Sequence, residues 1–221
     1  MSKFEKLGEI SDISLGRDFR GAVPVVPNGD ILVIQPKDVF SESIEEAVRV
    51  TPKEIGAIND RWLHPGDILC SIRHKFVSIV VKEEWLGYHY GRVIANSGLF
   101  IIRLNQKDYL PEYVSAFVNC FFERKEFQDM LERQKQEKIR DGKKPTVRLL
   151  TKDCLASVLV PKKSLEEQRK IATEICEAQS KFRTVMDSLI EDKKRIEDKY
   201  KQIVKDYCMS MDHVYKDIVA K

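Results

Sequence analysis

The C-terminal quarter constrains the fold more than any other part of the chain, because residues 164–220 contain no proline and no glycine. This stretch opens with Ser164-Leu165-Glu166-Glu167, a capping box in which a hydroxyl and a carboxylate cover free N–H groups at a helix start. Apolar residues then recur at intervals of three and four, the pattern of a coiled-coil seam. The predicted seam is Ile171, Ile175, Ala178, Phe182, Val185, Leu189, Ile196, Tyr200, Ile203, Tyr207, Met211, Val214 and Ile218. We therefore expect one helix of about 57 residues, on the order of 85 Å long.

A helix of this length requires a partner. It cannot bury its whole seam against a domain of about 160 residues, and the sequence predicts no second helix of similar length. We therefore expect self-association or a partner helix. Two consecutive steps of four occur at Lys193 and at Met211, and such stutters locally relax a left-handed supercoil. The alternative is a hairpin that turns near residues 191–195, which the absence of glycine and proline disfavours.

Charge is distributed unevenly along the chain. The net charge is only +3, from 38 basic and 35 acidic residues, which excludes a histone-like, strongly basic polymer binder. Residues 1–60 sum to −4, residues 61–160 to +5 and residues 161–221 to +2. The middle part is therefore the candidate for facing a polyanion.

The first 160 residues predict a mixed, strand-rich domain. Short apolar runs follow turn signals such as Pro27-Asn28-Gly29-Asp30, which is typical of strands. Strands are predicted at residues 31–34, 68–72, 76–81, 99–102 and 157–160. A helix is predicted from Pro111 to about Arg140, with Gly142 ending it. The expected fold class is α+β, with a domain over residues 1–160 and a long coiled-coil helix over residues 161–221.

Membrane, secreted and disulfide-bonded classes are disfavoured. No run of about 18 apolar residues exists, and the first residues do not lead into a signal-peptide core. The five cysteines are odd in number and form no Cys-x-x-Cys pair, which favours reduced thiols in a cytoplasm and no zinc site. Four of them lie in apolar runs, where a thiol acts as a small hydrophobe. The cysteines are Cys70, Cys120, Cys154, Cys176 and Cys208.

Motifs of catalysis are missing from the sequence. It has no glycine-rich phosphate loop, no Gly-x-Ser-x-Gly elbow and no His-Glu-x-x-His pair. Acidic–basic triplets such as Glu123-Arg124-Lys125 lie on predicted helices, whereas metal nucleases require carboxylates that hold the cation at the scissile phosphate. We expect a non-catalytic protein with no catalytic residue, no metal site and no cofactor of its own.

Basic side chains in loops are the candidate binding residues. Arg73, His74 and Lys75 follow a predicted strand, and such strand-end loops suit contacts to phosphates or base edges. The alternative is a solvated hairpin tip. A second basic segment runs from the helix end into a loop, where arginine can pair with phosphate or guanine. Its alternative is a charged surface loop. Its candidate DNA-binding residues are Lys138, Arg140, Lys143, Lys144, Thr146 and Arg148.

Two further segments combine cations with aromatic or flexible residues. Trp85 to Arg92 includes Tyr88, and aromatic rings beside arginine can stack on bases, although a buried aromatic corner is the alternative. Arg17 and Arg20 flank a loop that begins at Gly16 and ends at Gly21. We include Tyr88, Arg92, Arg17 and Arg20 among the candidate DNA-binding residues.

Taken together and in order, these motifs resemble one half of the specificity subunit of a type I restriction-modification system. The resemblance covers nearly the whole chain and is carried by four segments. These are Lys6-Leu7-Gly8-Glu9-Ile10; Leu63-His64-Pro65-Gly66-Asp67-Ile68-Leu69-Cys70-Ser71-Ile72-Arg73; Asn96 to Phe100 with Leu110 to Val114; and Leu155 to Pro161 running into Ser164 to Ile171.

The resemblance implies a target-recognition domain that binds one half of a split double-stranded DNA sequence. The long helix would pair antiparallel with a second copy and space the half-sites, so that a homodimer would read an inverted repeat. DNA adenine methyltransferase subunits would dock on the helices and use S-adenosylmethionine, which this chain would not bind itself. The residues leave open whether a translocating restriction subunit joins them.

The sequence also departs from the family pattern. Arg73-His74 stands where members often have Arg-Gly, and Thr146 keeps only the hydroxyl of a glycine- and hydroxyl-rich stretch. Usual members carry two recognition domains and two long helices. Two other interpretations remain: a protein-interaction scaffold that has lost DNA binding, and the detached recognition half of a single-chain restriction-methylation enzyme.

Overall fold

The computed structural model describes residues 3–55, 61–73, 75–87, 91–105, 107–140 and 150–219. The chain divides into two compact units, Met1–Ala172 and Thr173–Lys221. The first is a mixed α+β domain, and the second is the remainder of one long helix. The division falls later than residue 160 because the first two turns of this helix belong to the domain, where Gln168 and Ala172 are buried.

The described residues form nine strands and eight helices. The strands are β1 (Phe4–Lys6), β2 (Ser11–Leu15), β3 (Ile31–Ile34), β4 (Val48–Val50), β5 (Ile68–Ser71), β6 (Ser78–Val80), β7 (Val93–Ala95), β8 (Leu99–Leu104) and β9 (Leu159–Pro161). The helices are α1 (Leu7–Ile10), α2 (Pro36–Ser41), α3 (Pro52–Ile55), α4 (Glu83–Gly87), α5 (Pro111–Phe122), α6 (Lys125–Arg140), α7 (Lys152–Ala156) and α8 (Leu165–Val219).

The strands form three sheets, with orders β2-β8-β5-β6, β4-β3-β7 and β1-β9. The pairs are antiparallel except for β3 with β7, which run parallel. Alternate residues of the four-stranded sheet face opposite cores, as the pleat requires. On β5, Ile68 and Cys70 pack with Tyr113 and Phe122 of α5, whereas Leu69 packs with Leu32 of the three-stranded sheet.

The predicted strands at residues 31–34, 68–72, 76–81 and 99–102 are confirmed to within a few residues. The predicted strand at residues 157–160 begins later, at Leu159, because Ser157 ends helix α7 and donates its backbone N–H to the carbonyl of Asp153. Strands β1, β2, β4 and β7 were not predicted, since their apolar patterns are short and their pairing is not local.

The predicted helix over residues 111–140 is two helices. Helix α5 ends at Phe122, and α6 starts at Lys125. The rings of Phe122 and Phe127 are tilted by 46° to each other with centroids 5.2 Å apart, a contact that forms where the chain turns between the two helices. The Gln128 side chain donates to the carbonyl of Phe122, 2.7 Å away, and so covers the end of α5. Cys120 follows Tyr113 and Phe117 at helical spacing and is therefore expected on the apolar face, but it is exposed.

A buried carboxylate fixes the start of β5. Asp67 follows the turn at Pro65-Gly66, where Gly66 adopts φ +85°, the left-handed region that favours glycine. Its oxygens accept from Arg103 Nε at 2.8 Å and from a terminal guanidinium nitrogen at 2.6 Å. The same guanidinium donates to the carbonyl of Trp62 at 2.9 Å. The Asp67 side chain is 2% exposed and that of Arg103 34%.

A buried glutamine holds the first turns of α8 in the domain. The side chain of Gln168 accepts from the backbone N–H of Leu110 at 2.8 Å and donates to the carbonyls of Asp108 and Lys163 at 2.6 and 2.9 Å. The predicted capping box is confirmed, since Glu167 accepts from the Ser164 backbone N–H at 3.0 Å. The Glu167 N–H in turn donates to the Ser164 hydroxyl at 3.3 Å.

Helix α8 is continuous from Leu165 to Val219, so the alternative of a hairpin near residues 191–195 is wrong. The apolar seam side chains that the structure describes beyond residue 178 lie in solvent: Phe182 is 68%, Leu189 55% and Tyr200 68% exposed. Ile171 and Ile175 are half-buried. The backbone of Tyr207, Met211, Val214 and Ile218 is helical, and their side chains lie outside the described set. The single chain leaves its seam uncovered.

The described cysteines differ in exposure. Cys70 is buried and Cys154 is half-buried, but Cys120 and Cys176 are exposed, so the expectation that four of the five cysteines pack as small hydrophobes is wrong. Cys120 lies on the solvent side of α5, and Cys176 lies off the seam of α8. Among the described helices, none combines the length and apolarity needed to cross a membrane.

Replacing Arg103 with leucine is expected to lower the free energy of unfolding by about 3 kcal/mol, because the Asp67 carboxylate would remain buried without its cation. Urea denaturation measures the change. Arg92→Leu removes an exposed arginine that also pairs with an aspartate, Asp30, and should cost less than about 1 kcal/mol. Equal losses of stability in the two variants would show that the buried Asp67–Arg103 pair contributes no more to the free energy of unfolding than the exposed Asp30–Arg92 pair.

The capping box predicts a pH dependence. A hydrogen bond from Lys163 and two from Ser164 lower the pKa of Glu167 from its ordinary 4.5 to about 2. Because the folded-state pKa is depressed, the stabilisation is present above pH 4.5 and is lost as pH falls through about 2. The stability difference between the native protein and Glu167→Gln should therefore shrink between these values in urea titrations. Glu166→Gln removes the same charge from the same turn. An identical pH profile for this variant would show that the stabilisation does not come from the hydrogen bonds that Glu167 accepts.

Candidate nucleic-acid interface

Several strand ends meet at one edge of the domain. Strand β2 ends at Leu15, opposite Phe100, and β5 ends at Ser71, opposite Leu99, at the start of β8. Strand β3 ends beside Ala95, the last residue of the parallel strand β7. The turn between β7 and β8 therefore lies among three other chain segments. We call this the convergent edge, defined as residues 16–20, 72–73, 75 and 96–98.

The loop after β2 is fixed against this turn by backbone hydrogen bonds. The N–H of Arg17 donates to the carbonyl of Ala95 at 2.7 Å, and the N–H of Ser97 donates to the carbonyl of Arg17 at 2.8 Å. A Cβ atom at Gly16 would lie 2.1 Å from the carbonyl oxygen of Asn96. Glycine at this position therefore lets the loop approach the turn closely enough for these bonds to form.

The loop after β5 reaches the same turn. The N–H of Ile72 donates to the carbonyl of Gly98 at 3.2 Å, and the N–H of Leu150 donates to the carbonyl of Ile72 at 3.0 Å. Leu150 directly follows residues 141–149, which lie outside the described set and contain the predicted basic loop. The described chain thus resumes beside Ile72, at Leu150.

The hairpin tip between β5 and β6 presents two exposed cations, Arg73 and Lys75. The Ser71 hydroxyl donates to the carbonyl of Lys75 and accepts from the N–H of Val77 at 3.1 Å, so it fixes the path of the tip. The ammonium of Lys75 lies 5.9 Å from the centre of the Phe40 ring on α2. This cation–π contact orients Lys75 while leaving its charge available to an anion.

Arg17 carries a buried nitrogen without a partner. Within the described part of the chain, its Nε atom is shielded from solvent and donates no hydrogen bond. Leaving a buried polar group unpaired costs about 1–3 kcal/mol, so an acceptor that reaches this atom would recover that energy. Arg20 is exposed, with φ +51°, and its backbone N–H donates to the Asp18 carboxylate at 2.9 Å. The geometry thus brings Arg17, Arg20, Arg73 and Lys75 to one edge.

The structure does not bring every candidate to this edge. Arg92 precedes β7, at the opposite end of that strand from Asn96, and pairs with Asp30. Arg140 is exposed at the end of α6, and Lys138 lies two residues earlier in that helix, with its side chain outside the described set. The predicted binding residues His74, Tyr88, Lys143, Lys144, Thr146 and Arg148 lie outside the described residues.

Two features of the site bear on what the sequence predicted. Trp85 lies in helix α4 and is buried in the core, so it is unavailable for stacking, as the alternative of a buried aromatic segment predicts for this residue. The sequence also did not predict that the loops after β2 and β5 are both hydrogen-bonded to the turn at Asn96-Ser97-Gly98. Its glycine was a detectable signal: a Cβ there would lie 2.7 Å from Pro36 Cγ, so this position requires close packing.

The described residues show no arrangement for metal binding, since no group of three histidine, cysteine, aspartate or glutamate side chains among them lies close enough to hold an ion. Burial raises the pKa of the Cys70 thiol, which keeps it protonated and unreactive. The chemistry that the convergent edge offers is therefore the binding of anions by exposed and partly buried cations.

Comparison with known proteins gives structural but not sequence matches. No protein-family model matches the chain, and no curated protein sequence matches it significantly. The HsdS subunit from Thermoanaerobacter tengcongensis matches with a TM-score of 0.50 and 20% identity, over 80% of this chain and 37% of that one. At this identity the likeness concerns the fold.

Two further solved structures are similar at lower TM-scores. A chain from a structural study of complex assembly and conformational transition of the type I R-M system has a TM-score of 0.48 and 18% identity, over 82% of this chain and 39% of that one. The type I restriction-modification S subunit from M. genitalium has a TM-score of 0.45 and 11% identity, over 89% and 44%. The chain spans about two fifths of the length of each of these neighbours.

The close approach at Gly16 yields a stability prediction. Gly16→Ala should lower the free energy of unfolding by about 2–3 kcal/mol, because the new methyl group must displace the backbone at Asn96. Gly87→Ala is the matched control, since nothing lies within 4 Å of a Cβ there, and it should be neutral or stabilising by up to about 1 kcal/mol. Thermal and urea unfolding measure both. A neutral Gly16→Ala would mean that the loop does not lie against the turn.

Proposed function

We propose that this chain, which has the fold of a type I restriction-modification specificity subunit, is a DNA-recognition subunit that binds one half of a bipartite target. The fold likeness to HsdS and the share of that chain which it spans, 37%, support a unit with one recognition domain. The observation that carries the proposal is the convergence of Arg17, Arg20, Arg73 and Lys75 on one edge of the domain.

This edge suits DNA for physical reasons. Its cations lie in loops whose ends are fixed by strands, so they are held in place before DNA binds. Lysine and arginine contacts to phosphates set affinity and register, whereas arginine forks to base edges set sequence. The partly buried guanidinium of Arg17 provides a fixed donor, and the exposed Arg73 and Lys75 provide longer reach.

The long helix accounts for the second half of the target. We propose that α8 pairs with α8 of a second copy, so that two identical recognition domains read an inverted repeat with a fixed spacer. Adenine methyltransferase subunits, which hold S-adenosylmethionine, supply the chemistry, and a restriction subunit can join them. This chain is then non-catalytic, binds no cofactor and acts in the cytoplasm.

Alanine at both Arg73 and Lys75 should weaken binding to double-stranded DNA of random sequence and reduce the salt dependence of the affinity. Each lost phosphate contact lowers the slope of log K against log salt by about 0.9. Fluorescence anisotropy at four or more salt concentrations measures this slope. Lys82→Ala, at the opposite end of β6 from the tip, is the control and should leave the slope unchanged.

The undescribed basic loop permits a parallel test. Lys143→Ala with Lys144→Ala should also lower affinity and flatten the salt dependence, because the two lysines belong to the basic segment that leads to Leu150, which is bonded to Ile72. If the native protein binds no duplex at low salt, the protein-interaction scaffold is the correct interpretation. If it binds but neither double variant changes the slope, another surface contacts DNA.

A further inference from the structure

Helix α6 continues past the point where the apolar core covers it. Its first half is anchored by Phe127 and Leu131, which are each 1% exposed. After Leu131 the helix runs on to Arg140, a length of about 13 Å. None of the side chains described over these residues is buried, and Ile139, the single apolar residue in this part of the sequence, is 45% exposed. We call residues 132–140 the α6 extension.

The two halves of α6 differ in charge. Residues 125–132 contain one basic and three acidic residues, whereas residues 133–140 contain four basic residues and one acidic residue. The net charge therefore changes from −2 to +3 within one helix. Cations in the last turn of a helix are favoured by its dipole, but this effect reaches only about one turn. It accounts for Lys138 and Arg140 and leaves Arg133 and Lys135 unexplained.

The extension lacks the apolar stripe that a protein partner would bury. A helix that docks in a groove of another protein presents apolar side chains at intervals of three and four. Apart from Ile139, every residue of the extension is charged or is a glutamine. A short helix that is polar on all sides is marginal in water when nothing covers it. A polyanion can cover such a helix through its positive charge, without any apolar contact.

The first half of α6 packs beside the hairpin tip of the convergent edge. The ring of Phe127 meets the ring of Phe76, in the segment between β5 and β6, edge-on, with centroids 5.2 Å apart. The sulfur of Met130 lies 3.6 Å from the thiol of Cys154 in α7. Because an α-helix bends only gently over such lengths, these contacts fix the point and the direction at which the extension leaves the core.

The chain also returns to this tip after the extension. Leu131 and Leu150 belong to the same apolar core. The N–H of Leu150 donates to the carbonyl of Ile72, at the other side of the tip, at 3.0 Å. The extension therefore begins and the described chain resumes beside the cations that we propose to contact DNA.

One face of the extension carries side chains that can recognise base edges. Arg133, Gln136 and Arg140 are exposed and follow one another at intervals of three and four, so they lie on one side of the helix. Arginine binds guanine in a fork, and glutamine binds adenine in the same way. The Gln136 amide donates to the Glu132 carboxylate at 3.0 Å, which orients the amide before a ligand binds.

We propose that the α6 extension is a recognition helix that enters the major groove of DNA and reads bases through Arg133, Gln136 and Arg140. A helix with its side chains is about 10–12 Å across, which fits the major groove, about 12 Å wide, and not the minor groove, about 6 Å wide. Its length of about 13 Å spans roughly four base pairs. The inference rests on the proposed DNA-recognition function and adds to it the element that sets sequence.

Amide hydrogen exchange of the whole chain tests whether DNA covers the extension. The probe is a duplex of random sequence at low salt. The duplex should slow exchange by about threefold or more in peptides from residues 132–140, because binding covers a helix that is otherwise open to water. Peptides from residues 52–55 are the control and should not change, since they follow Val50, which pairs with the start of β3, away from the convergent edge.

The same measurement separates this inference from the DNA-recognition function. Protection of residues 16–20 and 72–75 without protection of residues 132–140 would uphold DNA binding at the convergent edge and overturn the recognition helix. In that case the extension would be open to a protein partner instead. No protection in any of these segments would overturn both proposals.

Arginine-to-lysine variants test base reading. Arg133→Lys and Arg140→Lys keep the charge and lose the planar fork, and α6 is retained because the two residues have similar helix propensities. In selections from a random duplex library, each variant should relax the preference at one base pair by roughly five- to a hundredfold. Arg169→Lys, at an exposed arginine of α8, is the control and should select the same bases as the native protein. Unchanged preferences in both α6 variants, or a native protein that selects no base, would overturn the assignment.

Discussion

The domain depends on the buried carboxylate of Asp67, because a charge removed from water must be paired or the fold does not retain it. Arg103 follows Ile102, the residue of β8 opposite Ile68 of β5, so the ion pair forms in one strand register. A slip of one residue would exchange the two faces of the sheet. The same register brings Ile72 to Gly98, and the convergent edge therefore depends on an interaction at the other end of β5.

A second buried group connects this domain to its helix. Gln168 satisfies the backbone of Leu110 and Asp108, which lie just before α5, so the first turns of α8 belong to the same hydrogen-bonded framework as the sheet's covering helix. Tyr113 of α5 adds a hydrogen bond of 2.9 Å to the carbonyl of Pro161. The beginning of α8 is thus fixed by polar groups, whereas the apolar side chains described beyond Ala178 are exposed to solvent.

The features that the sequence predicted correctly are local. The capping box at Ser164, the continuous helix after it and the strand after the turn at Pro65-Gly66 each depend on residues within a few positions of one another. The break between Phe122 and Lys125 and the meeting of Arg17 with Ser97 depend on packing between distant segments, which periodicity does not encode. Arg92 was grouped with the candidate DNA-binding residues because it ends an aromatic segment, whereas its position is set by a strand that was not predicted.

The exposed seam of α8 has a consequence for how the protein persists in a cell. A helix that presents Phe182, Leu189 and Tyr200 to solvent carries an apolar stripe that also binds unrelated hydrophobic surfaces. Newly synthesised chains therefore have to cover this stripe before other exposed apolar segments or a protease reach it. Their abundance then depends on how fast the stripe is covered as well as on the stability of the domain.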